Sequence, residues 1–147
     1  RGVRSTATFD DHGPSQIFTP YLYPEVSVNA ECGWNYPPNW GFQMAFQAVF
    51  ENGAVEYDSG ASPTLTAVIG KGKRKALPFK EPSVGQSSTG AGNISALGGY
   101  FNELQSFIKR LDSGHHPETA TLADAAESLD VALAELRSAK SGKTVKT

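Results

Sequence analysis

The sequence holds a single cysteine, Cys32, and a single methionine, Met44. One thiol permits no intrachain disulfide and cannot build a multi-cysteine zinc site, so a reducing compartment is the simpler expectation. No apolar run approaches the ~20 residues that a membrane-spanning helix needs. The N-terminus shows no signal-peptide pattern of basic, apolar and small-residue segments, and the cytoplasm is the expected location. Charge is scarce too: 19% of residues are ionisable and the formal net charge is −2. That balance carries no electrostatic footprint of a nucleic-acid or anionic-membrane binder. G-x-S-x-G and internal repeats are also missing, which removes the nucleophile elbow and the solenoid folds from consideration.

What is present is a chain of 147 residues, 39% of them hydrophobic. That is a length for one domain, 1–147, with a core that needs no disulfide or metal. The chain opens at Arg1 and enters a strand pattern at once with "RGVRSTATF", as a piece cut from something longer would.

The first half alternates. In "VSVNAECGW", Val26, Val28, Ala30, Cys32 and Trp34 point one way and Ser27, Asn29 and Glu31 the other. "FQMAFQAVFE" repeats the pattern, with Phe42, Met44, Phe46, Ala48 and Phe50 set against Gln43, Gln47 and Glu51. A period of two with one apolar face describes antiparallel strands covered on one side. "SQIFTPYLY", "AVEYD", "TLTAVI" and "RKALPF" read as further strands, and Asn52-Gly53 marks a tight hairpin.

Residues 81–93 have no periodicity and read as a loop. Beyond them Leu97, Tyr100, Phe101, Leu104, Phe107, Ile108 and Leu111 step by threes and fours, the buried stripe of a helix that Gly114 ends. A second helix begins at a capping box of Thr121 and Asp124, and its stripe is Leu122, Ala125, Ala126, Leu129, Leu133 and Leu136. "KTVKT" closes as a short strand. The expected fold is α+β: an open-faced, mainly antiparallel β-sheet with two C-terminal helices packed on one face.

Few residues carry obvious chemistry. "GAGNIS" at Gly90 lacks the third glycine of a dinucleotide fingerprint and follows no buried strand. "SGKT" at 141–144 has the end of a P-loop without its beginning. His12 sits in a turn, and His115-His116 have no ligand partners at metal spacing, so no metal site is expected. Cys32, on the apolar side of its strand, reads as a buried, inert thiol. "KGKRK" at 71–75 reads as a solvated hairpin tip, since no aromatics are interleaved with it. "NAECGWNYPPNWGF" concentrates aromatics between two strands. Its rings suit either stacking on the C–H faces of a sugar or plugging a sheet.

Four segments in order bear a resemblance. "YPEVSVNAECGW", "FQMAFQAVFENGAVEYDS", "YFNELQSFIKRLDSG" and "PETATLADAAESLDVALAELRSAKSGKTV" together resemble the C-terminal domain of the Gfo/Idh/MocA family of NAD(P)-dependent oxidoreductases. The resemblance covers almost the whole chain. It implies a two-domain enzyme acting on a sugar, polyol or related compound, with an N-terminal Rossmann domain that holds NAD or NADP and a catalytic lysine in an E-K-P segment. The second domain would supply substrate contacts and, through its open sheet face, a homo-oligomer interface. This chain has no Rossmann glycines. Its nearest triplet, Lys80-Glu81-Pro82, is scrambled, and the family's D-x-x-x-H helix is missing. By resemblance it therefore contains no catalytic and no cofactor-binding residue. Carried over by position, Trp34, Tyr36 and Tyr100 are the candidate substrate contacts. Trp40 falls in the "PPNW" insert, which varies between subfamilies. Expected partners are a second copy and a sugar-like substrate, with neither nucleic acid nor membrane. A stand-alone carbohydrate-binding or assembly module is the alternative.

Overall fold

The computed structural model describes residues 1–79, 98–115 and 120–147. The readings placed on residues 81–93, Gly90, Leu97, His116 and Lys80-Glu81-Pro82 lie outside the described residues. The fold is α+β, with open antiparallel sheets followed by two C-terminal helices. The chain separates into two compact units: residues 1–37 with 116–147, and residues 38–115.

In the first unit the central strand is β3 (Gly13–Leu22). On one edge it pairs along its length with β4 (Ser27–Gly33), in a register that sets Tyr21 against Val28 and Ile17 against Cys32. The other edge is shared by β1 (Gly2–Val3) and β2 (Thr6–Asp10). These two are one strand with a break. Gly2 faces Leu22, Val3 faces Tyr21 and Thr6 faces Phe18 in unbroken register, and the Arg4 N–H bridges the gap to the Pro20 carbonyl at 3.1 Å. The last strand, β9 (Val145–Lys146), pairs antiparallel with β1.

One helix packs on this sheet. Here α1 (Gly98–Ser113) belongs to the second unit, and α2 (Leu122–Ser141) to the first. The start of α2 is the capping box that the sequence announces. The Thr121 hydroxyl accepts from the Asp124 N–H at 3.2 Å, and the Asp124 carboxylate accepts from the Thr121 N–H at 2.8 Å. Its end is Gly142 in the left-handed region at φ 64°, donating to the Ser138 carbonyl at 2.9 Å. The GKT match at 142–144 is thus a helix stop.

Only the C-terminal half of α2 meets the sheet. Ala134 and Ser138 are buried, with Val131 and Glu135 half-buried on the same face, whereas Leu122, Leu129 and Leu133 remain exposed. The docking face therefore runs through small residues rather than through the leucine stripe. Small side chains let the helix approach until its hydroxyl reaches the backbone. Ser138 Oγ accepts from the Ser5 N–H at 2.9 Å and donates to the Lys143 carbonyl at 2.6 Å. Ser5 in turn shares a 2.7 Å bond with Thr19, directly across from the strand break. Val3, Ser5, Thr19 and Ser138 are the most deeply buried side chains of the described residues.

In the second unit four strands form a meander: β5 (Ala45–Phe50), β6 (Gly53–Asp58), β7 (Leu65–Ile69) and β8 (Lys75–Ala76). The β5–β6 turn is Glu51-Asn52, and Gly53 opens β6 opposite Phe50 and Ile69, where any Cβ would run into the Val68 carbonyl oxygen. Register places Phe46, Tyr57 and Leu65 on one face, with Ala48, Val55 and Ala67 on the same face one pleat along. Phe46 stacks on Tyr57 at 5.7 Å, and Phe79 meets Tyr57 edge-on at 5.4 Å. That face is open, with Phe46, Phe50, Ile69 and Phe79 all exposed.

Gly114, at φ 68°, ends α1 as expected. Its apolar stripe is not buried: Tyr100, Phe101, Leu104, Phe107, Ile108 and Leu111 are all exposed, and α1 packs on none of the other described elements of its unit. Periodicity identified the helix, but it carries no information on what lies opposite. No helix among the described residues is long and apolar enough to cross a membrane.

Candidate ligand-binding surface

The aromatic segment begins where β4 ends. The Trp34 N–H donates to the Ser15 carbonyl at 2.8 Å, which continues the ladder one residue past Gly33 and holds the Trp34 backbone against β3. Its side chain is 79% exposed. A tryptophan side chain so open, on a backbone so tied, presents a rigid flat apolar surface to solution. Tyr36 folds back over the strand end. A Cβ on Gly33 would lie 3.1 Å from the Tyr36 ring and 3.0 Å from Gln16 Cγ, so glycine is what lets the tyrosine lie close. Tyr36 remains 44% exposed.

Trp34 and Tyr36 belong to the first unit, three residues around a strand end whose position the β3–β4 ladder sets. Tyr100 is in the first turn of α1, in the second unit, with an exposed ring; Trp40, also exposed, is in that unit as well. The structure thus brings Trp34 and Tyr36 together in one segment.

Two polar arrangements were not singled out by sequence reasoning. On the face of the second sheet opposite the aromatic cluster, Gln47, Glu56 and Thr66 stand in register across β5, β6 and β7. Arg74 pairs with Glu56 and donates to Thr66 at 3.0 Å, and together they rim a shallow cleft of about 190 Å³. The alternation of Gln47 and Glu56 marked them as one polar face; that Arg74 folds onto them depends on the β7–β8 turn. In the first unit the Tyr21 hydroxyl donates to the Glu135 carboxylate. Partial burial, that hydrogen bond and the Glu135 charge together push the tyrosine up to about 12. This pair joins α2 to β3 and lies on the sheet face that also bears Cys32. Cys32 itself is exposed, contrary to the expectation of a buried thiol, because α2 covers the β1–β3 side of that face and does not pack on β4.

Among the described residues no three His, Cys, Asp or Glu side chains gather as metal ligands. Nor do those residues fit a dinucleotide in the Rossmann manner. That site needs parallel strands joined through a helix whose N-terminus meets the pyrophosphate, and every strand pairing here is antiparallel. Compared with protein-family models, with curated proteins and with solved structures, the chain gives no match.

Proposed function

We propose that this chain is the substrate-binding and assembly half of an NAD(P)-dependent oxidoreductase of the Gfo/Idh/MocA type, acting on a sugar, polyol or related compound. The ordered set of four sequence segments is the basis of the reading. The structural observation that supports it most directly is Trp34: an exposed indole on a fixed strand end, backed by Tyr36, suits stacking on the C–H face of a hydroxylated ring. In this reading the dinucleotide and the lysine and histidine that handle the proton belong to another part of the enzyme, and this chain alone is catalytically inert. A cytoplasmic location accords with a lone, exposed cysteine.

The test is a titration of NADH and of NADPH into the purified chain, followed by tryptophan fluorescence and calorimetry. No binding at millimolar cofactor is the expected result; cofactor-dependent turnover by the chain alone overturns the reading. The exposure of Trp34 also favours a second reading, a carbohydrate-binding module with no catalysis. Sugar-dependent quenching that Trp34→Ala abolishes, with no cofactor required at any stage, distinguishes that module from the half-enzyme.

A further inference from the structure

The apolar stripe of α1 is the largest feature that the reading above leaves unused. Its six side chains, Tyr100, Phe101, Leu104, Phe107, Ile108 and Leu111, are between 48% and 64% exposed. None of the described elements of its unit packs on the helix. At roughly 100 Å² of uncovered area each, they amount to about 600 Å² on one helix, more than a solitary soluble domain usually leaves open.

The charges beside the stripe indicate what covers it. Phe101, Leu104, Ile108 and Leu111 are spaced three, four and three apart, the seam of a helix pair. Glu103 and Arg110 are seven residues apart and so share one flank of that seam, the flank of Tyr100 and Phe107. We infer that two copies of this chain associate through α1, the helices lying antiparallel. In that alignment Phe101 packs on the partner's Leu111 and Leu104 on the partner's Ile108. The same alignment sets Glu103 opposite the partner's Arg110, and the two-fold axis repeats the pair. One sign pattern thus complements itself, and only when the second helix is reversed. Opposed helix dipoles favour the same orientation. Two helices burying about 600 Å² each reach about 1,200 Å², the lower edge of specific interfaces, so the association is reversible. It does not depend on the oxidoreductase reading, since neither cofactor nor substrate takes part.

The test is sedimentation equilibrium of the full chain from about 1 µM to about 1 mM, the span of a weak dimer. The variants are Glu103→Arg, Arg110→Glu and the double exchange, all at exposed positions. The wild type is expected to dimerise. Each single exchange replaces two attractive pairs by two repulsive ones and weakens the dimer roughly fivefold to tenfold. The double exchange inverts the pattern, keeps it self-complementary and restores the wild-type constant to within about twofold. A chain that stays monomeric throughout, as it would if α1 were covered by its own sheet, overturns the inference. So do single exchanges without effect, a double exchange that fails to restore, or a dimer that survives Leu104→Glu.

Discussion

Replacing Ser138 by alanine removes one oxygen at the point where α2 meets the sheet. Ser138 has no exposed surface, and its hydroxyl accepts from the Ser5 N–H at 2.9 Å while donating to the Lys143 carbonyl at 2.6 Å. The two lost bonds are not equivalent. Lys143 is exposed, so its carbonyl exchanges the serine for water at little cost. Ser5 is 1% exposed, and its N–H would be left buried without an acceptor. Leaving such a donor unsatisfied costs about 2 kcal/mol, whereas a bond replaced by solvent costs well under half that. On a chain of 147 residues, 2 kcal/mol lowers Tm by roughly 4–8 °C. Urea unfolding followed by far-UV circular dichroism should show a lower midpoint with an unchanged slope. Ser141→Ala is the control: its hydroxyl makes only longer contacts, 3.4 Å to the Ser138 carbonyl and 3.3 Å from the Lys143 N–H, and its loss should be barely measurable. A Ser138→Ala chain within about 0.5 kcal/mol of wild type would mean that water reaches Ser5, and that the α2 junction is not sealed as described.

Gly53→Ala forces a methyl against the Val68 carbonyl oxygen, and the second unit should lose about 1–3 kcal/mol or shift its β6–β7 register; thermal melts and amide exchange across Gly53–Ile69 would report it. Thr121→Ala breaks the capping box and should cost about 1 kcal/mol of α2 stability, seen as lost helicity before the main transition. Asp124 is held below the usual carboxylate value by the Thr121 N–H and then by the Thr121 hydroxyl. A depressed folded value means that its contribution is present above the unfolded value and fades as pH falls through the acid side of the carboxylate range, a fading that Asp124→Asn should abolish. Tyr21 shows the opposite sign. Its folded value of about 12 lies above the unfolded 10, so its contribution is whole below pH 10 and is lost between pH 10 and 12. Ultraviolet titration should reveal one tyrosine ionising late, and Glu135→Gln should bring it down; an unchanged midpoint would mean that burial alone holds it up.

Local rules made much of the fold readable. Asn52-Gly53 marked the β5–β6 hairpin because few residues suit so tight a turn. Thr121 with Asp124 marked the start of α2, and Gly114 and Gly142 marked two helix ends, because each satisfies backbone groups within a few residues of itself. Period two in β4 and β5 and period 3.6 in α1 identified the elements for the same reason: the repeat belongs to the backbone. For the ligand surface, Trp34 and Tyr36 were legible as aromatics at a strand end, and the structure adds that Gly33 makes room for the tyrosine.

What touches what was not legible, because it depends on residues far apart in the chain. Cys32 alternates with the apolar side of its strand, yet it is exposed because α2 covers β3 and leaves β4 open. The leucines of α2 promised a buried stripe, but the helix docks through Ala134 and Ser138. Ser5 and Ser138 are 133 residues apart, and small polar residues in a sequence look like surface until a backbone donor is brought to them. The sequence by itself determined which segments are strands and helices and where they stop, since those depend on hydrogen bonds and dihedral preferences within a few residues. The tertiary structure alone decided which faces are covered, because burial is set by the partner that arrives from elsewhere in the chain.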